Sequence, residues 1–432
     1  MARRLTTLPR ATLRPHRRIA LGCVAVALAT LAACADQGTA PSAAAPSLAS
    51  SSSTPFDLNA APLTLAWQST ARHLVATHPA FSPIIAGRLY ALYSVGQYGA
   101  VVAADEAQAS GGGGRALYEA RRGAIAGASA AILAAFFPDA ATMLDDQLAS
   151  DGAAGPGGTH PHFTRGVAIG REMAARISDR AAHDGFSLRW NGLQPPDPLG
   201  GGWVGNGAAP AGFQYPAMRP WYLTSQDQFR PPPPPARGSA DFLADLGAVR
   251  VATTGRTPAD SLMANFWNFT NGTITPLGYW DERAAEYVAA AGLDEREAAH
   301  VFALVNSTAA DATIGCWEAK YHYMLIRPSR ADATIRLVGG VPGFPYNLPN
   351  HPSYPSGHSC VSASAARVIE HFFPASTATL EAMVAEAGRS RVVGGIHYPF
   401  DISAGQALGR AVADWAIAYD RQPGGLLAAL QR

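Results

Sequence analysis

Apolar residues recur at three- and four-residue spacing, with Ala between them, over Leu63–Ala76, Ile84–Ala104, Ala116–Phe137, Arg165–Asp184, Leu262–Phe266, Arg296–Ile326, Ser359–Phe373 and Ala404–Tyr419. That is the period of helices with one buried face. Few runs alternate with period two, so the pattern predicts an all-α fold. Pro138 and Pro374 stand just past two of these runs, where a helix stops. From about residue 186 to 240 the periodicity vanishes, and Gly200-Gly201-Gly202, Pro231 to Pro235 and several Trp and Tyr lie there. The Pro run reads as a stiff spacer, while the aromatics favour a long packed surface loop. This stretch marks a seam between an N-terminal helical bundle, 61–235, and a C-terminal one, 236–432.

Residues 1–33 carry six Arg and no acidic residue, and Arg17-Arg18 precedes an apolar run from Ile19 to Ala33. This order of charged and apolar regions predicts an export signal, and the Arg pair hints at twin-arginine export. The run ends Leu31-Ala32-Ala33-Cys34, which resembles the lipobox of bacterial lipoproteins and implies lipidation of Cys34. Residues 34–60, mostly small and polar, predict a flexible tether. The expectation is an exported lipoprotein anchored to a membrane by lipid, periplasmic or at the cell surface. No later segment has 18 uninterrupted apolar residues, so no second span is predicted.

The chain has 432 residues, 48% hydrophobic and 15% charged, which excludes disorder for most of it. Its 33 basic and 32 acidic side chains leave no surplus to neutralise a phosphate backbone, so nucleic acid is excluded as a partner. All the basic residues are Arg except Lys320, and the two cations are not interchangeable. Cys316 and Cys360 are expected as separate buried thiols. In an oxidising compartment a bridge between them is the alternative.

Candidate chemistry sits in three short blocks. Lys320 and Arg327 are seven residues apart, which on one helix points both cations the same way. Pro328 is expected to end that helix. In Pro355-Ser356-Gly357-His358, Ser356 is a helix-capping residue and Gly357 admits close backbone approach. The helix start offers N–H groups to an oxyanion, and His358 is placed for proton transfer. In the third block, Gly394-Gly395 predicts a turn holding Arg391 and His397. Asp401, four residues after His397, opens the next helix and can fix the imidazole tautomer. Together the blocks supply a cage for a compact tetrahedral oxyanion, with one imidazole to attack or ligate and another to move a proton.

Lys-x6-Arg-Pro, Pro-Ser-Gly-His and Ser-Arg-x5-His-x3-Asp, in this order, resemble the signature of the type 2 phosphatidic acid phosphatase and vanadium haloperoxidase superfamily. The resemblance implies that Lys320, Arg327, Ser356, Gly357 and Arg391 bind the oxyanion. In a haloperoxidase, His397 would ligate vanadate and His358 would be the acid–base group, with hydrogen peroxide and halide as substrates. In a phosphatase of phosphate monoesters, with no cofactor, His397 would form a phosphohistidine and His358 would protonate the leaving oxygen. Asp401 would orient His397 in either case. The extra N-terminal helical half resembles bacterial vanadium-dependent haloperoxidases. Trp317 matches a Trp of the halide site in fungal chloroperoxidases. His351 stands where those enzymes have Phe and algal bromoperoxidases have His. The two markers pull apart, with a lean to bromide or iodide.

Overall fold

The computed structural model describes residues 61–108, 114–153, 160–340, 346–428 and 430. The expected signal, the lipidation site Cys34 and the tether to residue 60 lie outside them.

Among the described residues the regular structure is helical. The helices are α1 (Leu63–Thr77), α2 (Pro83–Gln108), α3 (Arg115–Phe136), α4 (Ala141–Ala153), α5 (Pro161–Ala182), α6 (Ala240–Thr254), α7 (Pro258–Phe266), α8 (Thr275–Ala291), α9 (Glu295–Tyr323), α10 (Pro328–Ala331), α11 (Gly357–Phe372), α12 (Thr377–Val393), α13 (Pro399–Asp420) and α14 (Gly425–Ala428). None is long and apolar enough to cross a membrane. The apolar periodicity announced α1, α2, α3, α5, α7, α9, α11 and α13. It missed α4, α6, α8 and α12 and the four-residue α10 and α14. On α6 the apolar residues run round the helix, with Leu246 and Val249 buried but Leu243 and Val251 exposed, so no stripe stands out. His160 is the N-cap of α5 and His162 lies in its first turn.

Small residues let backbones approach closely. A Cβ on Gly127 of α3 would lie 2.4 Å from Val167 O of α5, and one on Gly170 would lie 2.3 Å from Ala124 O. The same device seats α13 on α11: a Cβ on Gly409 would lie 2.4 Å from Cys360 O. Such contacts exclude any larger side chain. One apolar core draws on α1–α5 and on α8, α9 and α11–α13, and the described residues form a single unit. The seam near residue 235 is therefore a break in pattern and not in packing.

The aperiodic stretch is a packed loop. Asp311 of α9 accepts from the amides of Trp221, Tyr222 and Leu223 at 2.7, 2.7 and 3.1 Å. Carbonyls of the Pro run accept from Tyr323 Oη at 2.7 Å and Tyr354 Oη at 2.6 Å.

α9 is the axis of the molecule and is almost wholly buried. Asp294 and Glu297 form a capping box at its start. It ends at Tyr323 because Met324 turns left-handed, φ 50°, and returns its N–H to Lys320 O at 2.9 Å. Pro328 thus does not set the helix end, and Lys320 and Arg327 do not share a helix face. Arg327 instead caps α10. Cys316 of α9 and Cys360 of α11 form a disulfide, which corrects the expectation of two free thiols. Packing of α9 on α11 brings their Cα atoms within 6.4 Å.

Candidate active site

Three segments converge at the ends of α9, α11, α12 and α13. Lys320 lies in the last turn of α9. Ser356 caps α11, its Oγ accepting from Ser359 N–H. Helix geometry leaves the amides of Gly357 and His358 without partners inside the helix. Arg391 sits in the last turn of α12, which corrects its expected place in a turn. Only His397 occupies the turn that follows, and Asp401 is in the first turn of α13.

His397 is buried between an acceptor and a donor. Its Nδ1 lies 2.7 Å from Asp401 Oδ2, and its Nε2 lies 3.1 Å from Arg327 Nη1. A guanidinium only donates, so Nε2 accepts and the ring proton is on Nδ1. Burial, then Arg327 and Lys320, hold the imidazole well below its usual pKa. The result is a neutral ring with its Nε2 lone pair turned towards the cations. Asp401 Oδ2 also accepts from Ser353 Oγ at 2.6 Å and from the Tyr398 amide at 3.1 Å. Burial lifts the Asp401 carboxyl to about 6, against these hydrogen bonds and the pull of Lys320.

The cations are fixed by carbonyls. Arg327 donates to Ile396 O at 2.8 Å, to His351 O at 3.1 Å and to His351 Nδ1 at 3.0 Å. Burial lowers its pKa to about 10. Arg391 donates to Ser390 Oγ and Ala264 O, both at 2.9 Å, and lies over the Tyr346 ring. Lys320 Nζ donates to the carbonyls of Pro352 at 3.1 Å and Ser353 at 2.8 Å, and to that of Pro355. Its three donors therefore gather the chain that leads into Ser356, and burial, then Arg327, depress its pKa.

His358 hydrogen-bonds the backbone of Trp267, and its Nε2 is buried without a partner. Burial, then Arg391, push this imidazole well below its usual pKa. Trp317 donates to Ala211 O at 2.8 Å, with its indole 5.0 Å from the His351 ring and against Gly357. A cleft of ≈ 440 Å³ between the long loop, Ile326 and Asn350 reaches Arg327. Every predicted site residue except Cys34 thus falls in one neighbourhood. Sequence reasoning missed Ser353, which holds Asp401, and Tyr346, which faces Arg391. Neither carries a local signal, since their partners are 48 and 45 positions away.

The fold matches those of known proteins. A bacterial vanadium-dependent iodoperoxidase structure superposes with TM-score 0.68 at 23% identity, covering 85% of this chain and 98% of that one. A bacterial vanadium-dependent chloroperoxidase in its holo form superposes with TM-score 0.66 at 14% identity, covering 87% of this chain and 100% of that one. The fold is that of the vanadium haloperoxidases. Residues 300–423 match the PAP2 superfamily model. Vanadium chloroperoxidase of Curvularia inaequalis is 25% identical over 187 residues, 35% of this chain and 31% of that protein. The aligned segment thus spans under a third of the curated relative.

Proposed function

We propose that this protein is a vanadium-dependent haloperoxidase that oxidises bromide or iodide with hydrogen peroxide. The observation that carries the proposal is the His397 tautomer: Nδ1 bound to Asp401 and the Nε2 lone pair set among buried cations. A tetrahedral oxyanion fits here. Its charge would offset those of Lys320, Arg327 and Arg391, and it would give the orphaned His358 Nε2 a partner. His397 Nε2 would ligate the vanadium centre. Arg327, Arg391, Ser356 and the amide of Gly357 would hold the oxygens, with Lys320 supporting them from the 352–355 carbonyls. When bound, vanadate supplies a Lewis acid that activates peroxide towards halide.

The chain's own residues do the rest. Asp401 keeps the His397 proton on Nδ1, so that Nε2 stays basic. His358, neutral and anchored on Trp267, takes or returns a proton at Nε2. The buried cations favour anions at the site and disfavour protonation of either ring. Peroxide and halide enter through the cleft beside Arg327, and Trp317 and His351 flank the site where halide would dock.

A phosphatase acting through a phosphohistidine at His397 would use the same cage. Coverage of nearly the whole of a haloperoxidase structure, N-terminal half included, favours the first reading. The assay is peroxide-dependent bromination or iodination by the purified protein, expected to appear with added vanadate and to fade with phosphate. Hydrolysis of a phosphate monoester, blocked by vanadate and without halide oxidation, would overturn it. The proposal extends to place: an exported enzyme tethered by lipid at Cys34, supported by the segment from Arg17 to Cys34. Metabolic labelling with palmitate, lost in Cys34→Ala, tests that part.

A further inference from the structure

Tyr346 lies outside the three motif blocks, yet its phenol points at the chain joining two of the site residues. Its Oη is buried without a hydrogen-bond partner, and the residue is 6% exposed. Arg391 Cζ stands 5.5 Å from the ring centroid. A Cβ on Gly394 would lie 2.0 Å from Oη, so the hydroxyl rests directly on the backbone between Arg391 and His397. The phenol feels the charges of Arg391, Arg256 and Arg327. A buried hydroxyl without a partner is costly, and Phe would fill the same space without that cost. The chain instead keeps an O–H beside Arg391 and Arg327, two of the cations that bear on His358.

We propose that Tyr346 is an oxyanion-binding residue, its hydroxyl donating a hydrogen bond to the tetrahedral anion held by Arg327, Arg391 and His397. The proposal rests on the anion-cage reading of the site and adds a neutral donor to its cations. Burial raises the phenol above its ordinary pKa, so it stays protonated at neutral pH and donates rather than repels. Tyr346 would thus strengthen binding of either vanadate or phosphate without adding charge.

The experiment is titration calorimetry of the whole protein and of Tyr346→Phe with inorganic vanadate and with inorganic phosphate. The expected result is about tenfold weaker binding of both anions by the variant. Its anion-free thermal stability should be unchanged or higher, because the orphaned hydroxyl is gone. Equal affinity, or lost stability at unchanged affinity, would overturn the proposal by assigning Tyr346 a structural role. A second readout places 3-fluorotyrosine at position 346 alone: its fluorine resonance should move when phosphate saturates the site, and a fixed resonance speaks against the contact. Should the parent protein bind neither anion, the cage reading itself fails. Should it bind both while Tyr346→Phe binds equally, only the role of the phenol fails.

Discussion

Two buried charged clusters lie along α9, and they are built on opposite rules. In the first, Arg72 of α1 pairs with Asp281 of α8. Asn306 of α9 donates at 2.8 Å both to Asp281 and to Ser94 of α2, and Gln68 joins Gln97 at 2.8 Å. Charge is balanced one for one. In the second, at the other end of α9, Lys320, Arg327 and Arg391 are all buried. Among the described residues Asp401 is the carboxylate that Lys320 and Arg327 feel, and Arg391 feels only the Tyr346 phenol. A closed pair holds helices together. A surplus of buried cations is a standing cost unless an anion arrives, which marks the second cluster as a binding site and the first as structure.

The largest effect should come from His397→Ala. It should lower halide oxidation by about a thousandfold or more, because it removes the Nε2 that would ligate the vanadium centre, while the variant still folds. Retained turnover would erase the distinction between the clusters. Next, Asp281→Ala should destabilise the fold by about 3–5 kcal/mol, since it strands Arg72 in the core. Arg391→Met should cost far less stability yet weaken phosphate binding strongly. Paired urea melts and calorimetry on the two variants compare the clusters directly.

Cys316→Ser with Cys360→Ser cuts the link between α9 and α11 and frees a 44-residue loop. The expected loss is about 2–4 kcal/mol in urea unfolding. Saturating the cationic cluster with phosphate at about 100 times its dissociation constant should stabilise the protein by about 2.7 kcal/mol. A thermal shift of that order should vanish in Arg391→Met and persist in a conservative change at the balanced cluster, such as Ser94→Ala.

The smallest effect is the pH slope of the anion-free protein. His351, His358 and His397 are held below the ordinary 6.5 by burial and by the cations. The unfolded chain therefore binds protons that the folded state refuses, and stability present above pH 6.5 is lost as pH falls below it. Asp401, raised from 3.8 to about 6, acts in the opposite sense: between those values its contribution grows as pH falls. Asp151 and Asp311, each raised to about 6, act in the same sense as Asp401, so the imidazoles are read by difference: the melting temperature of the protein should fall relative to that of His358→Gln as pH drops below 6.5, and saturating phosphate should flatten that difference. A flat difference without phosphate would show that the rings do not face buried cations.

The all-α class and the three chemical blocks were legible along the chain because their signals are short in range. Helical period is set within a turn or two, Ser356 caps the helix that begins at the next residue, and Asp401 reaches His397 across four positions. The amino-acid sequence by itself determined which groups were available and in what order. Tertiary structure decided how they meet. The left-handed Met324 gives Lys320 and Arg327 separate approaches to the site, and α12 runs on far enough to carry Arg391. Glycine-lined contacts draw α13 onto α11, and α9 packs on α11 so that Cys316 meets Cys360. Ser353 and Tyr346 acquire their roles only through these contacts. The physical reason is range: caps and periodicity act over a few residues, whereas the cage depends on groups tens of residues apart whose spacing only the packed core sets.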